Sequence, residues 1–339
     1  MIDLSILIAS YENEDLLAAC LLALEQAHAT HPRIQLEVIV IDNGSQDASV
    51  ARARASGLPI RAIALSRNRG FATAVNLGLR IRRGRHVLLL NSDATVAPDV
   101  LAQGVALLDG NEAIGVVGVA LLHPDGRRQR SVHAFPGLAT ELLPDALVRM
   151  GRRVLRGRPA PLMPGCVDVE AVRGAVMFVR GHVLDELGEL DEGYFFFLEE
   201  TDFCWRVRAA GHRVVYAPAL QAIHRLGASS KARVPRATRI EYERSLDRFV
   251  SIRRGRRTAR AVRTLRCARW IAVLLPLVLA AAIGPHGRRR LRERGGLILW
   301  HLRGRPPEPI LAVALAREVD RSRAGAAPEA SVEARLVDQ

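Results

Sequence analysis

Four apolar segments near the N-terminus, each followed at once by polar residues, constrain the fold of this chain most. They span residues 4–9, 36–41, 60–65 and 86–90, and a further strand is predicted at 115–121. Apolar runs of this length are typical of strands buried on both faces, as in a parallel sheet. Helical patterns over residues 13–28 and 71–82, and another beginning near Pro98, separate the strands. The sequence therefore predicts an α/β, Rossmann-like fold with a mostly parallel central sheet and helices on both faces.

The polar residues that follow these strands are candidates for ligand binding. They include Ser10-Tyr11-Glu12, Asp42, Asn68 and Asn91-Ser92-Asp93. In open α/β sheets, ligands bind beyond the carboxyl ends of the strands, which places these residues along one edge. A hard divalent cation takes oxygen ligands and keeps phosphate oxygens of its substrate, so one carboxylate such as Asp93 can suffice. For Asp42 and Asp93 alike, the alternative is a polar turn that simply ends a strand.

Residues 165–226 supply a second group of candidates. An apolar strand within 167–179 is interrupted by Arg173-Gly174-Ala175, where glycine permits close approach of the backbone to a ligand. Two short strands are predicted at 213–216 and 219–224, and His224 ends the second. Its imidazole is either structural or a further metal ligand beside a carboxylate and a diphosphate.

The stretch from Asp191 to Arg206 places three carboxylates after three consecutive phenylalanines. Glu199, Glu200 and Asp202 open a predicted helix that runs to Gly211. Negative charge at a helix N-terminus is favoured by the dipole, and Asp202 and Arg206 have the spacing of an i,i+4 ion pair. The stretch is either an ordinary acidic helix start or a reactive site on an aromatic floor.

The excess positive charge is concentrated in one region. The formal net charge is +14, and residues 244–269 contain ten arginines and one acid, Asp247. Such a block suits nucleic acid or an anionic membrane surface. Aromatic residues are sparse and do not interleave with the arginines, so the sequence does not favour nucleic acid.

An apolar run of fifteen residues, 270–284, follows the basic block. About 20 apolar residues are needed to span a bilayer, and Pro276 lies within the run. An in-plane or re-entrant membrane segment is therefore favoured over a buried core helix, and both over a true span.

The remaining sequence gives weaker indications. Residues 123–164 predict an irregular connection that includes a mobile loop over the site. The four cysteines are far apart, which favours reduced thiols in a cytosolic setting, and no secretory leader precedes the first strand. From about residue 317 the composition predicts a frayed helix or a disordered tail.

Six motifs in this order resemble those of family 2 glycosyltransferases, most closely the rhamnosyltransferase-like branch. They are SILIASYEN, VIDNGSQD, the N-x-G-F-A-x-x-x-N segment from Asn68 to Asn76, LLLNSDA, VRGAVMFVR and YFFFLEETDFCWRVRAAGHRVVYAP with the following IHR. The resemblance covers about residues 3–226. It implies the GT-A fold, a single nucleotide-binding α/β domain with an acceptor-binding C-terminal half.

The resemblance also implies roles for individual residues. Tyr11, Glu12 and Asp42 would hold the base and ribose of a nucleotide sugar, with Asn68 and Gly70 near the nucleotide. The other residues expected on the nucleotide-sugar side are Ser10, Asn76, Asn91 and Ser92. Asp93 stands at the last position of the D-x-D-like motif that ligates Mg²⁺ or Mn²⁺, and Asn91 replaces its first acid. His224 becomes the second expected protein ligand of the metal.

On the acceptor side, Glu200 matches the general base, although the family more often has Asp there. Glu199 and Asp202 are kept as substitutes for that role, and Asp202 is expected chiefly to support the site through Arg206. Arg173, Gly174 and Phe197 are expected near the acceptor or the donor sugar.

The implied function is inverting transfer of a sugar, best represented by L-rhamnose from dTDP-rhamnose, to a hydroxyl of a glycan or polyprenyl-diphosphate-linked acceptor in cell-surface polysaccharide synthesis. The enzyme is expected in the cytoplasm, peripheral at the inner face of the cell membrane. Three alternatives stay open. A processive polysaccharide synthase is suggested by Arg266-Cys267-Ala268-Arg269-Trp270, which has Arg where the Q-x-x-R-W motif has Gln. The others are a nucleotidyltransferase and a non-catalytic membrane scaffold.

These expectations divide the chain into three parts. Residues 1–228 form the catalytic domain, with the nucleotide-sugar half at about 1–122 and the acceptor half at about 165–228. Residues 229–310 form a basic, mainly helical extension that associates with the membrane, and residues 311–339 form a flexible tail.

Overall fold

The computed structural model describes residues 1–144, 163–225, 233–274 and 310–326, with a few single residues between these ranges. The strands are β1 (Leu4–Ser10), β2 (Leu36–Asp42), β3 (Ile60–Ala64), β4 (His86–Asn91), β5 (Ala94–Val96), β6 (Ile114–Leu122), β7 (Val132–His133), β8 (Val167–Asp168), β9 (Ala171–Val172), β10 (Val176–Arg180) and β11 (Arg213–His224). The helices are α1 (Glu14–Thr30), α2 (Ser49–Arg54), α3 (Phe71–Ile81), α4 (Val100–Gly110), α5 (Leu138–Leu142), α6 (Gly181–Leu187), α7 (Glu199–Ala209), α8 (Pro235–Arg254), α9 (Arg256–Ala272) and α10 (Ile310–Ala326).

The central sheet has the order β3-β2-β1-β4-β10-β6-β11-β5, and β8 also pairs with β11. The strands β3, β2, β1 and β4 are mutually parallel, as are β6 and β11. This confirms the predicted α/β fold with a mostly parallel sheet. The two strands expected at 213–216 and 219–224 form the single strand β11, which has a register shift between Ala217 and Gln221.

Both faces of the sheet are covered, which explains why its strands are continuously apolar. Along β1, Ile6 and Ile8 face a cluster that includes Leu17 and Leu24 of α1, whereas Leu7 faces a cluster that includes Val75 of α3. Successive strand residues point to opposite faces, so a strand with helices on both sides needs apolar residues at every position.

Strand β10 runs antiparallel between β4 and β6. Its orientation places the start of β10 beside the carboxyl end of β4, where Asn91 N donates a hydrogen bond to Ala175 O over 2.9 Å. The Arg173-Gly174-Ala175 segment therefore lies at the same edge of the sheet as Asn91 and Asp93. Hydrophobic periodicity does not reveal strand direction, so this juxtaposition was not predicted.

The basic block lies in α8 and α9, and at least six of its ten arginines bind acids, all of which except Asp247 lie outside residues 244–269. The bonded pairs are Arg244–Glu241, Arg248–Asp191, Arg253–Asp202, Arg263–Asp247, Arg266–Glu243, Arg266–Glu141 and Arg269–Glu141. The structure thus corrects the expectation that the block as a whole is available to a membrane. Arg256, Arg257 and Arg260 of α9 are exposed.

The C-terminal part departs from expectation in a second way. The predicted flexible tail does not hold for residues 311–326, because α10 packs through Leu311 and Leu315 against Phe195 and Ala237. Among the described residues, no helix is long and apolar enough to cross a membrane. Seven of the fifteen residues of the apolar run 270–284, namely 275, 277 and 279–283, lie outside the described residues. The predicted irregular connection 123–164 contains β7 and α5, and β7 pairs with β9.

Candidate active site

A cleft opens at the carboxyl ends of β1 and β4, and its free space is about 100 Å³. It is lined by Ala9, Ser10, Tyr11, Asn13, Asn43, Asn68, Gly70, Phe71, Asn91, Ser92, Asp93, Phe195, Phe196, Arg233, Leu311 and Leu315. Seven predicted nucleotide-sugar residues meet here: Ser10, Tyr11, Asn68, Gly70, Asn91, Ser92 and Asp93. The sheet edge expected from the strand pattern is therefore a real concave surface, and the stretch after Asp191 supplies an aromatic wall.

A chain of polar side chains joins the two central strands at the cleft. Ser10 Oγ donates to Asn13 Oδ1 over 2.5 Å, and Asn13 Nδ2 donates to Ser92 Oγ over 2.6 Å. These bonds fix the side chains that precede Asp93, so the ligand edge is ordered by its own hydrogen bonds.

The loop before α3 is held by two asparagines. Asn68 Oδ1 accepts hydrogen bonds from Gly70 N at 3.0 Å and Asn43 Nδ2 at 3.1 Å. Gly70 has φ +90°, and a Cβ there would lie 2.6 Å from Phe195 O. Phe71 N donates to that same carbonyl over 2.8 Å. Only glycine fits here, because both the backbone conformation and the contact exclude a side chain.

Three predicted nucleotide-sugar residues do not line the cleft. Glu12 has φ +50°, and its Oε1 accepts from Gln46 N over 2.7 Å. Asp42 is buried with Oδ2 bonded to Ser45 N at 3.0 Å, and burial raises the pKa of its carboxyl. The Asp42 Oδ1 atom has no hydrogen-bond partner among the described residues. A buried acceptor without a partner is costly, which fits an N–H or O–H donor arriving from a ligand.

Asn76, the third predicted nucleotide-sugar residue outside the cleft lining, forms hydrogen bonds within the fold. Its Nδ2 donates to Leu190 O at 2.9 Å and Glu192 Oε1 at 3.1 Å, and its Oδ1 accepts from Leu190 N at 3.0 Å. These bonds tie α3 to the segment that leads into the phenylalanines. Asn76 therefore positions the aromatic wall, and its amide is already occupied.

Asp93 and His224 face each other, with 3.3 Å between Oδ1 and Nε2. Gln129 orients the imidazole: its Oε1 is 3.1 Å from His224 Nδ1, and its Nε2 donates to His224 O. A carboxylate oxygen and an imidazole nitrogen at this separation, with the second ring nitrogen held by a neighbour, suit a divalent cation that keeps phosphate oxygens as its other ligands. Among the described residues there is no group of three or more His, Cys, Asp or Glu side chains that could hold a metal. An ion held by Asp93 and His224 would therefore complete its coordination with oxygen atoms from water or from a bound ligand.

Glu199 and Glu200 begin α7 after two residues in the left-handed region, Phe197 at φ +74° and Leu198 at φ +66°. Such conformations cost about 1–3 kcal/mol each for residues other than glycine and are common at functional sites. Burial, and then the charge of Glu200, raise the pKa of Glu199 well above its ordinary value. Glu199 is buried, and its Oε2 has no partner among the described residues.

Glu200 is partly exposed and packs against Gly174, where a Cβ would lie 3.1 Å from Glu200 Cβ. Burial raises the pKa of Glu200, while Arg173 and the Thr201 hydroxyl oppose the rise. His133 Nε2 lies 2.8 Å from Thr201 Oγ1. Burial, followed by Arg173 and Arg130, lowers the pKa of His133 to about 3, so this imidazole is neutral. If Thr201 donates to Glu200, His133 must donate to Thr201, since the hydroxyl has one hydrogen.

Asp202 is fully buried at the centre of an ion-pair network. Arg253 of α8 donates to its two oxygens over 2.7 and 2.8 Å. The predicted Arg206 partner is present at 3.3 Å, and Tyr194 OH donates to Oδ1 at 3.3 Å. Because both carboxylate oxygens are bonded to arginines, Asp202 is a positioning residue for α7.

Phe197, which is predicted to lie near the acceptor or the donor sugar, contacts Phe196 and Tyr242 of α8, with ring centroids 4.4 and 5.8 Å from its own.

The sequence did not single out several residues of the cleft. Asn13 and Asn43 belong to the quoted motifs and could have been selected as polar residues at strand ends. Arg233, Leu311 and Leu315 come from beyond the motifs, and no local pattern indicates that they return to the cleft.

Residues 5–162 match the family described as Glycosyl transferase family 2. Among curated relatives, the succinoglycan biosynthesis protein ExoO of Rhizobium meliloti is 37% identical over 38% of this chain and 36% of its own length. An N-acetylglucosaminyl-diphospho-decaprenol L-rhamnosyltransferase of Mycobacterium tuberculosis is 26% identical over 56% of this chain and 66% of its own length. The matches cover only 23% to 36% of the length of the first three curated relatives.

A solved structure, the mannosyltransferase PcManGT from Pyrobaculum calidifontis in complex with GDP-Man and Mn²⁺, superposes with a TM-score of 0.54. Its sequence is 18% identical, and the superposition covers 92% of this chain and 86% of that one. This likeness shows that the two chains share a fold.

Proposed function

We propose that this chain, whose residues 5–162 match the Glycosyl transferase family 2 model, moves a sugar from a nucleotide-diphosphate donor to an acceptor hydroxyl with inversion. One observation carries the proposal. The bond from Asn91 N to Ala175 O joins the Asp93 edge to the segment that packs against Glu200. A donor-side carboxylate and a candidate base therefore share one end of the sheet.

On the donor side, the cleft offers groups suited to a nucleotide sugar. Tyr11 and the phenylalanines provide apolar faces for a base. Asp42 does not line the cleft itself, but it precedes the lining residue Asn43, and its buried Oδ1 atom would accept a hydrogen bond from the base or ribose. Asp93 and His224 would hold Mg²⁺ or Mn²⁺, and such an ion supplies charge neutralisation for the departing diphosphate. The Mn²⁺ bound by the mannosyltransferase of the same fold supports this choice of cofactor.

On the acceptor side, Glu200 takes the proton. As the acceptor oxygen attacks the anomeric carbon, its O–H proton passes to a Glu200 oxygen, the new C–O bond forms, and the bond to the diphosphate breaks. The nucleoside diphosphate leaves with the electron pair. A positioned base contributes about 10²–10⁴ in rate. Burial raises the pKa of Glu200, which makes the carboxylate a stronger base, and the charge of Arg173 favours the ionised form that can accept a proton.

The donor and acceptor are proposed from resemblance. Rhamnose from a dTDP donor is the best single choice, supported by the branch motifs and by the mycobacterial relative, whose name specifies a rhamnosyltransferase acting on a decaprenol-linked diphosphate. The same relative supports a lipid-linked acceptor here, and the succinoglycan relative supports polysaccharide biosynthesis.

A lipid-linked acceptor requires access to a membrane surface, and the exposed apolar residues between 138 and 154 are the candidates for contact with it. Leu142 and Val154 are 63% and 78% exposed. Other exposed apolar residues of the same stretch are Leu138, Leu143, Leu147 and Met150. Arg266 and Arg269 bind Glu141 and so attach α5 to α9, which carries the exposed Arg256, Arg257 and Arg260. Apolar residues beside exposed arginines suit an anionic membrane surface.

One assay tests the reaction and its alternatives. The protein is incubated with MnCl₂, a panel of nucleotide sugars that includes dTDP-rhamnose, and a polyprenyl-diphosphate-linked sugar. We expect release of a nucleoside diphosphate and a lengthened acceptor. Release of free diphosphate would identify a nucleotidyltransferase. Repeated addition of sugars to one acceptor would identify a processive synthase, and the absence of reaction with every donor would identify a scaffold.

Flotation with anionic vesicles tests the membrane face separately. The double variant Leu142→Glu, Leu147→Glu should bind the vesicles less than the wild type does. Leu22→Glu should bind them as well as the wild type, because Leu22 is similarly exposed but lies on α1. Equal flotation of all three proteins would remove this face from the proposal.

A further inference from the structure

The C-terminal helix α10 forms one wall of the donor cleft. Leu311 and Leu315 line the cleft and cluster with Phe195 and Ala237, and Tyr11 packs against this cluster. The helix therefore rests on the surface where the proposed base of the donor would lie.

A buried carboxylate fastens the start of α10. Glu241 of α8 is buried next to the start of α10, where the backbone amide of Leu311 lowers the pKa of its carboxyl, and Arg244 lies 3.5 Å from its Oε1. An acid at a helix N-terminus is favoured by the helix dipole and satisfies an amide that has no partner within the helix.

An ion pair fastens the middle of α10. Arg233 lines the cleft, and its Nε donates to Glu318 Oε2 over 2.8 Å. Its NH2 group also bonds that oxygen, and the guanidinium lies 6.0 Å from the centre of the Tyr11 ring. Both side chains are largely covered, with exposures of 21% and 24%.

The size and charge of the cleft show what this arrangement does. Sites that bind small molecules and cofactors have volumes of roughly 300–1,000 Å³, whereas the free space in this cleft is about 100 Å³. A diphosphate also needs cationic partners, and Arg233 is the only Lys or Arg among the described residues that line the cleft. Glu318 gives that arginine a carboxylate at the distance a phosphate oxygen would adopt.

We propose that Arg233 binds the diphosphate of the donor and that Glu318 competes for it, so that α10 closes the empty cleft and is displaced when the donor enters. This inference rests on the proposed function, because it takes the cleft to be the donor site. It adds a binding residue and a lid that neither the motifs nor the relatives indicate. In the closed state the two leucines cover Tyr11 and Phe195; in the open state the base and diphosphate take their places.

The test is the affinity of the full chain for dTDP, UDP and GDP with MnCl₂, measured by calorimetry. Arg233→Ala should weaken every diphosphate that the wild type binds by at least about tenfold, the usual loss when a hydrogen bond to a charged group is removed. Arg236→Ala, which removes an exposed arginine one turn away, should leave affinity unchanged. Glu318→Gln should tighten binding about two- to fivefold, since a largely covered surface ion pair is lost. The matched control Asp320→Asn removes the same charge from the exposed side of the helix and should have no effect.

The double variant separates competition from a general charge effect. If Glu318 acts through Arg233, Glu318→Gln should no longer tighten binding in the Arg233→Ala background. An equal gain from Glu318→Gln in both backgrounds would overturn the competition. Unchanged affinity in Arg233→Ala, together with wild-type sugar transfer, would overturn the inference and leave the proposed function standing. Failure of all three diphosphates to bind any of these proteins would overturn both.

Discussion

Gly174 packs directly on Glu200: a methyl group at Gly174 would lie 3.1 Å from Glu200 Cβ and 3.3 Å from Cγ. We predict that Gly174→Ala displaces the carboxylate by a few tenths of an ångström and lowers kcat about tenfold, because small misplacements of a reacting group are costly. The stability measured by urea unfolding should change by less than about 1 kcal/mol. The control Gly57→Ala, which has only one distant neighbour, should retain full kcat. Full activity of Gly174→Ala would mean that Glu200 tolerates movement and is not the base.

Glu200→Gln should lower kcat by about 10²–10⁴ while dTDP affinity stays within twofold, since the amide keeps the shape but cannot take a proton. Glu199→Gln should lose far less, because Glu199 is buried and its raised pKa disfavours the ionised form. If the two variants exchange these phenotypes, Glu199 is the base.

The pH profile of kcat/KM, which reports the pKa values of the free enzyme, provides a separate test of Glu200. A base must be ionised, and burial raises the pKa of Glu200, so activity should rise with pH along a limb centred above the ordinary value of 4.5. Arg173 lowers this pKa, so Arg173→Met should move the limb to higher pH. A limb that does not move in Arg173→Met would show that another group controls the profile.

Removing the charge of Asp202 should destabilise the protein strongly. Asp202 is completely buried between Arg253 and Arg206, and breaking such a pair costs about 3–5 kcal/mol because a buried charge loses its partner. Asp202→Asn should therefore lower the urea midpoint sharply, with kcat falling less than in Glu200→Gln. The control Asp191→Asn removes the partner of Arg248, in a pair whose side chains are 38% and 27% exposed, and should cost about 1 kcal/mol or less. Equal losses of stability in the two variants would show that burial does not determine how much Asp202 contributes to the free energy of unfolding.

Glu241 should make stability depend on pH. Burial raises its pKa to about 7 despite Arg244 and the amide of Leu311, and Glu199 of α7 also faces it. Between about pH 4.5 and pH 7 the folded protein therefore holds a proton that the unfolded chain has released. The contribution of Glu241 to the free energy of unfolding is complete at pH 4 and is lost as the pH rises through 7. Glu241→Gln should match the wild type in urea unfolding at pH 4 and exceed it by about 1–3 kcal/mol at pH 8. A difference in the free energy of unfolding between Glu241→Gln and the wild type that does not grow with pH would contradict the raised pKa of Glu241.

The sequence predicts the first half of the fold well because its signals are local. Residues 4–9 and 86–90 are apolar runs that must be buried on both faces, and the polar residues after them do line a cleft. Asp93 and His224 are far apart in sequence, but Asp93 follows the end of β4 and His224 ends β11, and the rule that ligands bind beyond the carboxyl ends of the strands brings both to the ligand edge.

The rest depends on contacts between distant segments. Periodicity predicts a strand at β10 but not its antiparallel direction, which decides that Gly174 meets Glu200. Counting charge within residues 244–269 suggests a free basic surface, whereas Arg253 and Arg266 bind acids more than twenty residues away. Composition from about residue 317 suggests a frayed helix or a disordered tail, whereas α10 packs through Leu311 and Leu315 on a surface that only the folded domain creates.

The bond between Arg253 and Asp202 has a consequence for how this protein can be altered. The C-terminal part of the chain supplies, through Arg253, the counter-ion for the helix that begins with Glu200. A graft that joins residues 1–225 to a foreign C-terminal part would leave Asp202 a buried charge without its principal arginine. Recombination within this chain therefore has to move Asp202 and Arg253 together, and a breakpoint between them would yield an unstable enzyme whatever acceptor it was meant to use.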